Sequence, residues 1–342
     1  MADAPPTPPW STEAPLLEVE ELTVDYVTPT GRVRAVDRVS FTVARGEIVG
    51  LAGESGSGKS TVVHALMRTL GPPAVIAGGS VRYQGRDVLA MDEAALRRFR
   101  WREMALVFQS AMDALNPVLT IGEQLVDTIR AHAPTSRRDA RARARDLLAL
   151  VGIDPGRLDS HPHTLSGGMR QRVAIAIALA LEPPLLLMDE PTTALDVVVE
   201  KEILQKLLEL KDRLGFSVLV ISHDLPLLLE LTDRLGVLYA GRLAELGPSA
   251  ALRAGSRHPY TRGLMRAFPS LTGPRQALVG IPGSPPSLAS PPTGCPFHPR
   301  CELTMPTCRA VAPALSARGP DHLAACHATE VDVGRQGAAR EA

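Results

Sequence analysis

The chain has no apolar run of membrane length, no net charge, and no cysteine before Cys295. Its longest apolar stretch, Val173 to Leu181, stops at Glu182-Pro183-Pro184, far short of the roughly 20 residues that cross a bilayer. Any passage through a membrane is therefore expected to belong to other polypeptides. The 342 residues carry 37 basic and 37 acidic side chains, so no global field draws the chain to nucleic acid or to anionic lipid. The amino terminus, Met1-Ala2-Asp3-Ala4-Pro5-Pro6-Thr7-Pro8-Pro9, lacks the basic segment and apolar stretch of a secretion signal, and residues 1–14 read as a flexible tail. Aromatics supply only 4% of the residues, and none interrupts the basic run from Arg137 to Arg145. That run continues into Asp146-Leu147-Leu148-Ala149-Leu150-Val151, so a helix with its arginines in solvent accounts for it better than a nucleic-acid surface does.

What the chain does have is Gly53-Glu54-Ser55-Gly56-Ser57-Gly58-Lys59-Ser60, a G-x-x-x-x-G-K-S pattern directly after the apolar run Ile48-Val49-Gly50-Leu51-Ala52. A buried strand that ends in a glycine-rich turn and opens a helix, here through Thr61-Val62-Val63-His64-Ala65-Leu66, points successive backbone N–H groups at one place, where a pyrophosphate fits. The spacing predicts a nucleoside triphosphate site. The glycines permit the tight turn, Lys59 neutralises the β- and γ-phosphates, and the Ser60 hydroxyl coordinates Mg²⁺. Alone, the loop names only a superfamily of ATPases, GTPases and kinases.

A second cluster narrows the class. Leu185-Leu186-Leu187-Met188-Asp189-Glu190-Pro191 reads as a fully buried parallel strand ending in two carboxylates. In a doubly wound sheet ligands bind at the carboxyl ends of strands, which predicts Asp189 as a partner of Mg²⁺ and Glu190 as the base that polarises the attacking water. A third cluster, Leu165-Ser166-Gly167-Gly168-Met169-Arg170-Gln171-Arg172, leads into the helical run Val173 to Ala180. It offers a second helix N-terminus bare of large side chains and fit for an anion, although one nucleotide needs only one such cradle.

Together these residues resemble the motifs of ATP-binding-cassette (ABC) ATPases, whose signature turn closes on the γ-phosphate held by a partner subunit. On that resemblance Ser166, Gly167 and Gly168 act on a partner's nucleotide. Gln109 of Val107-Phe108-Gln109 matches the Q-loop glutamine, a further Mg²⁺ contact, and Ala194-Leu195-Asp196 matches the D-loop. His223 of Ile221-Ser222-His223-Asp224 matches the switch histidine, and Tyr26 sits where the family stacks a ring on adenine. The implied fold is an α/β P-loop NTPase, an ABC-type nucleotide-binding domain with a RecA-like core, an antiparallel β layer and a helical subdomain. Residues 15–250 would form that domain, with the helical part at about 110–164. Leu22 to Val27 and Val39 to Ala44 read as strands of the antiparallel layer.

Beyond about Ser249 prolines and small residues dominate and periodicity fades. His258-Pro259-Tyr260-Thr261-Arg262-Gly263-Leu264, Ile281-Pro282-Gly283-Ser284-Pro285-Pro286 and Cys295-Pro296-Phe297-His298-Pro299-Arg300-Cys301 resemble the small irregular extension of ATPase subunits from oligopeptide and dipeptide importers. Phe108 to Pro117 is similar to that subgroup's Q-loop region, with Ala111 in place of the usual proline. This resemblance runs from about residue 17 to 327. It implies ATP hydrolysis that drives peptide uptake from the cytoplasmic face of the membrane, a second related ATPase as a heterodimer partner, two permease subunits and an extracytoplasmic binding protein, with no nucleic acid. Nickel chelates and other small solutes are alternative cargoes. Soluble ABC ATPases of translation or DNA repair are the rival class, but this chain has one cassette and no long heptad run. A regulatory subunit that does not hydrolyse ATP would be expected to lack the acid or the histidine.

All four cysteines, Cys295, Cys301, Cys308 and Cys326, fall in the extension, residues 251–342. Stable disulfides are not expected in a cytoplasmic protein. Their intervals lack the paired C-x2-C knuckles of most zinc sites and suit a thiolate-bound iron-sulfur cluster, of the 4Fe-4S kind, at least as well. Zinc is the alternative ligand, and four unliganded cysteines the plainer one.

Overall fold

Buried alternation on two adjacent strands builds the first layer of the computed structural model, which describes residues 14–109, 115–192, 195–267 and 280–328. The chain divides into two compact units, one formed by the described residues of 1–44, 49–86 and 222–342, the other by 45–48 and 87–221.

In the first unit β1 (Leu17–Thr28) pairs antiparallel with β2 (Gly31–Val43) on one side and β4 (Ala74–Tyr83) on the other. Leu17, Val19, Leu22 and Val24 of β1 and Val36, Val39, Phe41 and Val43 of β2 are buried. Both strands begin earlier than their alternation suggests. The register shifts between Val19 and Leu22, and Glu21 adopts φ 49°, a bulge that breaks the period of two on which the sequence reading relies. In β2, Arg38 adopts φ 51°.

β3 (Ile48–Ala52) is buried at every residue and pairs in parallel with β8 (Arg234–Tyr239), Ala52 opposite Val237. α1 (Lys59–Leu66) follows β3. β9 (Arg242–Pro248) folds back antiparallel on β8, and the carboxyl-terminal hairpin of β10 (Ser316–Gly319) and β11 (His322–Ala324) adds to β9 with Glu245 opposite Ala324. The region expected to be irregular therefore extends the sheet that carries the glycine-rich loop. It also contains the short helices α8 (Ser249–Gly255), α9 (Pro259–Ala267) and α10 (Pro306–Ala310). α7 (Leu225–Leu231) completes the unit's helices among the described residues.

In the second unit β5 (Met104–Val107), β6 (Leu185–Asp189) and β7 (Ser217–Ser222) run parallel, buried throughout. Val107 lies opposite Met188 and Asp189 opposite Ile221, so these strands end in step. α2 (Glu93–Phe99) precedes β5. The stretch expected to be helical holds α3 (Ile121–His132), started by a Thr120–Glu123 capping box, and α4 (Arg137–Leu150), capped by Ser136. Ala140, Ala144, Leu147 and Leu148 face inward from α4 while Arg137, Arg138, Arg141 and Arg145 are exposed. Arg141 binds Asp159 at 2.8 Å and Arg143 binds Glu182 at 2.6 Å, exposed pairs that add little stability. α5 (Gly167–Ala178) and α6 (Val197–Leu214) pack beside each other. Among the described residues no helix is long and apolar enough to cross a membrane.

Candidate functional site

The glycine-rich loop is shaped by what its glycines touch. A Cβ on Gly53 would fall 2.4 Å from the Leu238 carbonyl oxygen, and one on Gly58 would fall 2.4 Å from that of Ala35. Both glycines also have positive φ, 151° and 102°, so a side chain at either would displace the loop from the strands that support it. Lys59 is 4% exposed, and its Nζ donates to the carbonyls of Gly53 at 2.8 Å and Glu54 at 3.1 Å. The ammonium is thereby held within the curve of the loop. Ser57 is buried, and its hydroxyl has no hydrogen-bond partner among the described residues. A buried cation, an unpartnered hydroxyl and a helix N-terminus form a donor set that fits phosphate oxygens. Ser55 and Gly56 lie exposed at the tip, while Ser60 and Thr61 enter the first turn of α1. Tyr26 Oη stands 3.4 Å from Thr61 Oγ1, which puts the candidate adenine-stacking ring beside that turn.

The two adjacent acids belong to the second unit and occupy different environments. Asp189 ends β6 and is 3% exposed. Glu190 has φ 44°, a left-handed backbone uncommon outside glycine, and its N–H donates to Ile221 O at 2.9 Å. The turn sends its carboxylate to Gln109, whose Nε2 donates to Glu190 Oε2 at 3.1 Å. Gln109 and the candidate base are thus joined. Residues 110–114, including Ala111, lie outside the described residues.

Ser166 caps α5 by accepting from Met169 N at 3.3 Å and is exposed. A Cβ on Gly168 would meet Val199 Cγ1 at 2.5 Å, and one on Gly167 would meet Leu195 Cδ2 at 3.3 Å. The signature turn therefore packs on its own D-loop region, where Asp196 caps α6 by accepting from Val199 N at 3.0 Å. Ala194 of the D-loop lies outside the described residues. His223 follows the last residue of β7 and is exposed; Asp224 caps α7.

The four cysteines are free thiols and lie close enough to interact electrostatically with one another. Cys295 N donates to Cys308 O at 2.8 Å, and Ala328 N donates to Cys326 Sγ at 3.4 Å. Burial raises the thiols of Cys295 and Cys326 and pushes Cys301 up to about 12. Among the described residues no histidine, cysteine or acid group is spaced to hold a single metal ion. The expected iron-sulfur or zinc site is not formed as a coordination shell among the described residues.

Sequence reading missed one element of the loop region. Glu54, an unspecified position of the loop pattern, makes a two-pronged ion pair with Arg300, at 2.7 and 3.0 Å. The loop pattern and the Cys295–Cys301 motif were both visible in the sequence, but nothing local in either marked a contact 246 residues away.

The chain resembles known proteins in sequence and in fold. Residues 36–193 match the family described as ABC transporter, and residues 244–308 match the oligopeptide/dipeptide transporter C-terminal region. The chain is similar to the dipeptide transport ATP-binding protein DppD of Escherichia coli, with 41% identity across 94% of this chain and 98% of that protein. It is also similar to the oligopeptide transport ATP-binding protein OppD of Mycobacterium tuberculosis, with 46% identity across 95% of this chain and 54% of that longer protein. Among solved structures it resembles the ATP-binding cassette MJ0796, a dimer in a post-hydrolysis state bound to ADP and Pi. The TM-score is 0.61 at 30% identity, covering 68% of this chain and 98% of that one. By its cassette, its carboxyl-terminal region and its full-length likeness to these proteins, the chain belongs to the ABC transporter ATPases, in the group of oligopeptide/dipeptide importer subunits.

Proposed function

We propose that this chain is the ATP-hydrolysing subunit that powers import of dipeptides or oligopeptides, working at the cytoplasmic face of the membrane. The observation that carries the reading is the loop from Gly53 to Ser60, with Lys59 held inside it, in a chain that also bears the peptide-importer carboxyl-terminal region. Residues 15–250 serve as the ATPase domain, and 251–342 as the importer-specific extension.

Roles follow residue by residue. Loop N–H groups from Ser55 to Thr61 and the Lys59 ammonium bind the phosphates, while Tyr26 supports the adenine. Ser60, Gln109 and Asp189 are hard oxygen donors suited to Mg²⁺, which when bound offsets the charge of the phosphates. Glu190 orients and polarises the attacking water, and Gln109 holds its carboxylate at 3.1 Å. His223 donates a hydrogen bond to the γ-phosphate. Ser166, Gly167 and Gly168, at a helix N-terminus where Ser166 is exposed and both glycines are half-buried, serve the nucleotide of a second ATPase subunit, related but not identical. Asp196 lines that subunit contact. Phe108, Val118 and Leu119 expose apolar surface around the Q-loop, Val118 at 78%, which suits contact with two transmembrane permeases. An extracytoplasmic binding protein would deliver peptide to them.

The four cysteines suit an iron-sulfur cluster, 4Fe-4S in preference to zinc. Buried thiols with raised pKa resist ionisation, and a bound metal centre supplies the positive charge that favours thiolate. Its role would be to order the extension.

The test is transport. Cells or proteoliposomes carrying the complete system should take up a labelled dipeptide or oligopeptide only with ATP, and Lys59→Ala in this chain should abolish uptake. Uptake unchanged by Lys59→Ala, or uptake of a nickel chelate with no peptide uptake, would overturn the reading.

A further inference from the structure

The carboxyl-terminal extension grips the phosphate loop at Glu54, through both side chain and backbone. Its carboxylate receives Arg300 Nη1 at 2.7 Å and Nη2 at 3.0 Å. Its N–H donates to Tyr260 Oη at 2.9 Å. Its carbonyl accepts from Lys59 Nζ at 3.1 Å and from Ser57 N at 3.2 Å. Glu54 thus connects the extension to the loop's own cation.

Arg300 is fixed on every side. Nε donates to Pro282 O at 2.8 Å, Nη1 donates to Tyr239 Oη at 3.3 Å, and the guanidinium lies 5.8 Å from the Tyr239 ring centre. Its side chain is 5% exposed. Tyr239, Tyr260 and Phe297 pack as a cluster, with ring centres 4.5, 5.2 and 5.4 Å apart. Tyr239 ends β8, the strand beside β3, so the clamp is built on the sheet that carries the loop. Phe297 and Arg300 also belong to the segment that begins at Cys295 and reaches Cys301, where Cys295 O accepts from His298 N at 3.0 Å.

A glycine-rich loop loses much conformational freedom when its N–H groups converge on phosphate. A two-pronged charged pair that sets the loop beforehand reduces that loss. Arg300 also neutralises a carboxylate that would otherwise repel the phosphates. We propose that Arg300 and Tyr260 are positioning residues for the phosphate loop, so that order in the cysteine-bearing segment sets the affinity of the ATP site. This inference rests on the reading of Gly53 to Ser60 as the ATP loop. Because the loop's N–H groups contact the phosphates in ground and transition states alike, the effect falls on KM for ATP more than on kcat.

The experiment measures ATP hydrolysis by the purified transporter complex. Arg300→Gln should raise KM for ATP about tenfold, from the loss of a charge-assisted pair, with kcat within about twofold. Arg300→Lys, which keeps the charge but not the fork, should fall between. Glu54→Gln added to Arg300→Gln should cost nothing further, because the two act through one contact. If Arg300→Gln fails to assemble, Glu54→Gln alone carries the test and should itself raise KM. Unchanged KM in a folded Arg300→Gln or Glu54→Gln complex, or losses that add in the double variant, would overturn the proposal. Lys59→Ala separates the two readings: ATP binding that survives it refutes the loop assignment, whereas its loss beside an unaffected Arg300→Gln refutes only the clamp.

Discussion

Asp189 and Glu190 are neighbours in sequence and opposites in setting. Asp189 is enclosed at the end of β6, whereas Glu190, at φ 44°, turns its carboxylate to Gln109. A strained residue held by a strand partner and a side-chain hydrogen bond fits a group whose position matters to chemistry. Glu190→Gln preserves shape and leaves Asp189 untouched but removes the charge that polarises water. Turnover should fall by about two to four orders of magnitude, with ATP affinity retained. Wild-type turnover in a complex whose second site is disabled would show that another group is the base. The phosphate loop, this acid pair and the signature turn were legible in sequence because each is a contiguous pattern imposed by local backbone geometry. Glu54 and Arg300 were not, because their pairing joins positions 246 residues apart and neither motif records the other.

Among the elements, the buried parallel strands announced themselves as uninterrupted apolar runs, and α4 as a helix with inward alanines and leucines. β1 and β2 alternate over shorter stretches than they span because Glu21 in β1 and Arg38 in β2, each with positive φ, interrupt the period of two. The β10–β11 hairpin escaped because its strands are short and its register comes from β9, far away in sequence. The cysteine segment is the element whose order needs most explanation. Phe297 is buried with Cys295 and Cys308 and packs on Tyr239 and Tyr260, and on the proposed metal reading ligation of the thiols adds to what holds the segment. Anaerobic purification followed by iron, sulfide and zinc analysis should find iron with sulfide, lost together in Cys301→Ser/Cys308→Ser. Stoichiometric zinc would replace the cluster with a different metal. Four free thiols in a folded, metal-free protein would remove the metal from the account.

At the scale of the whole molecule, the extension does not form a compact unit of its own. It groups with the N-terminal β layer and the strands that carry the phosphate loop, while the paired acids, the signature turn and the D-loop residues group together in the other unit. A chain that returns late to its first strands does not show this in residue order. Ser166 of the signature turn is exposed while Gly167 and Gly168 are half-buried, and the proposed heterodimer would give that turn a nucleotide to close on. The most direct measurement isolates the native complex through a tag on this chain and follows ATP hydrolysis as peptide-loaded binding protein is added. The account predicts two permeases and a second ATPase in the complex, with hydrolysis that rises on adding peptide and is lost in Glu190→Gln. Recovery of the chain with ribosomes or DNA and without membrane subunits, or hydrolysis indifferent to peptide and binding protein, would contradict it.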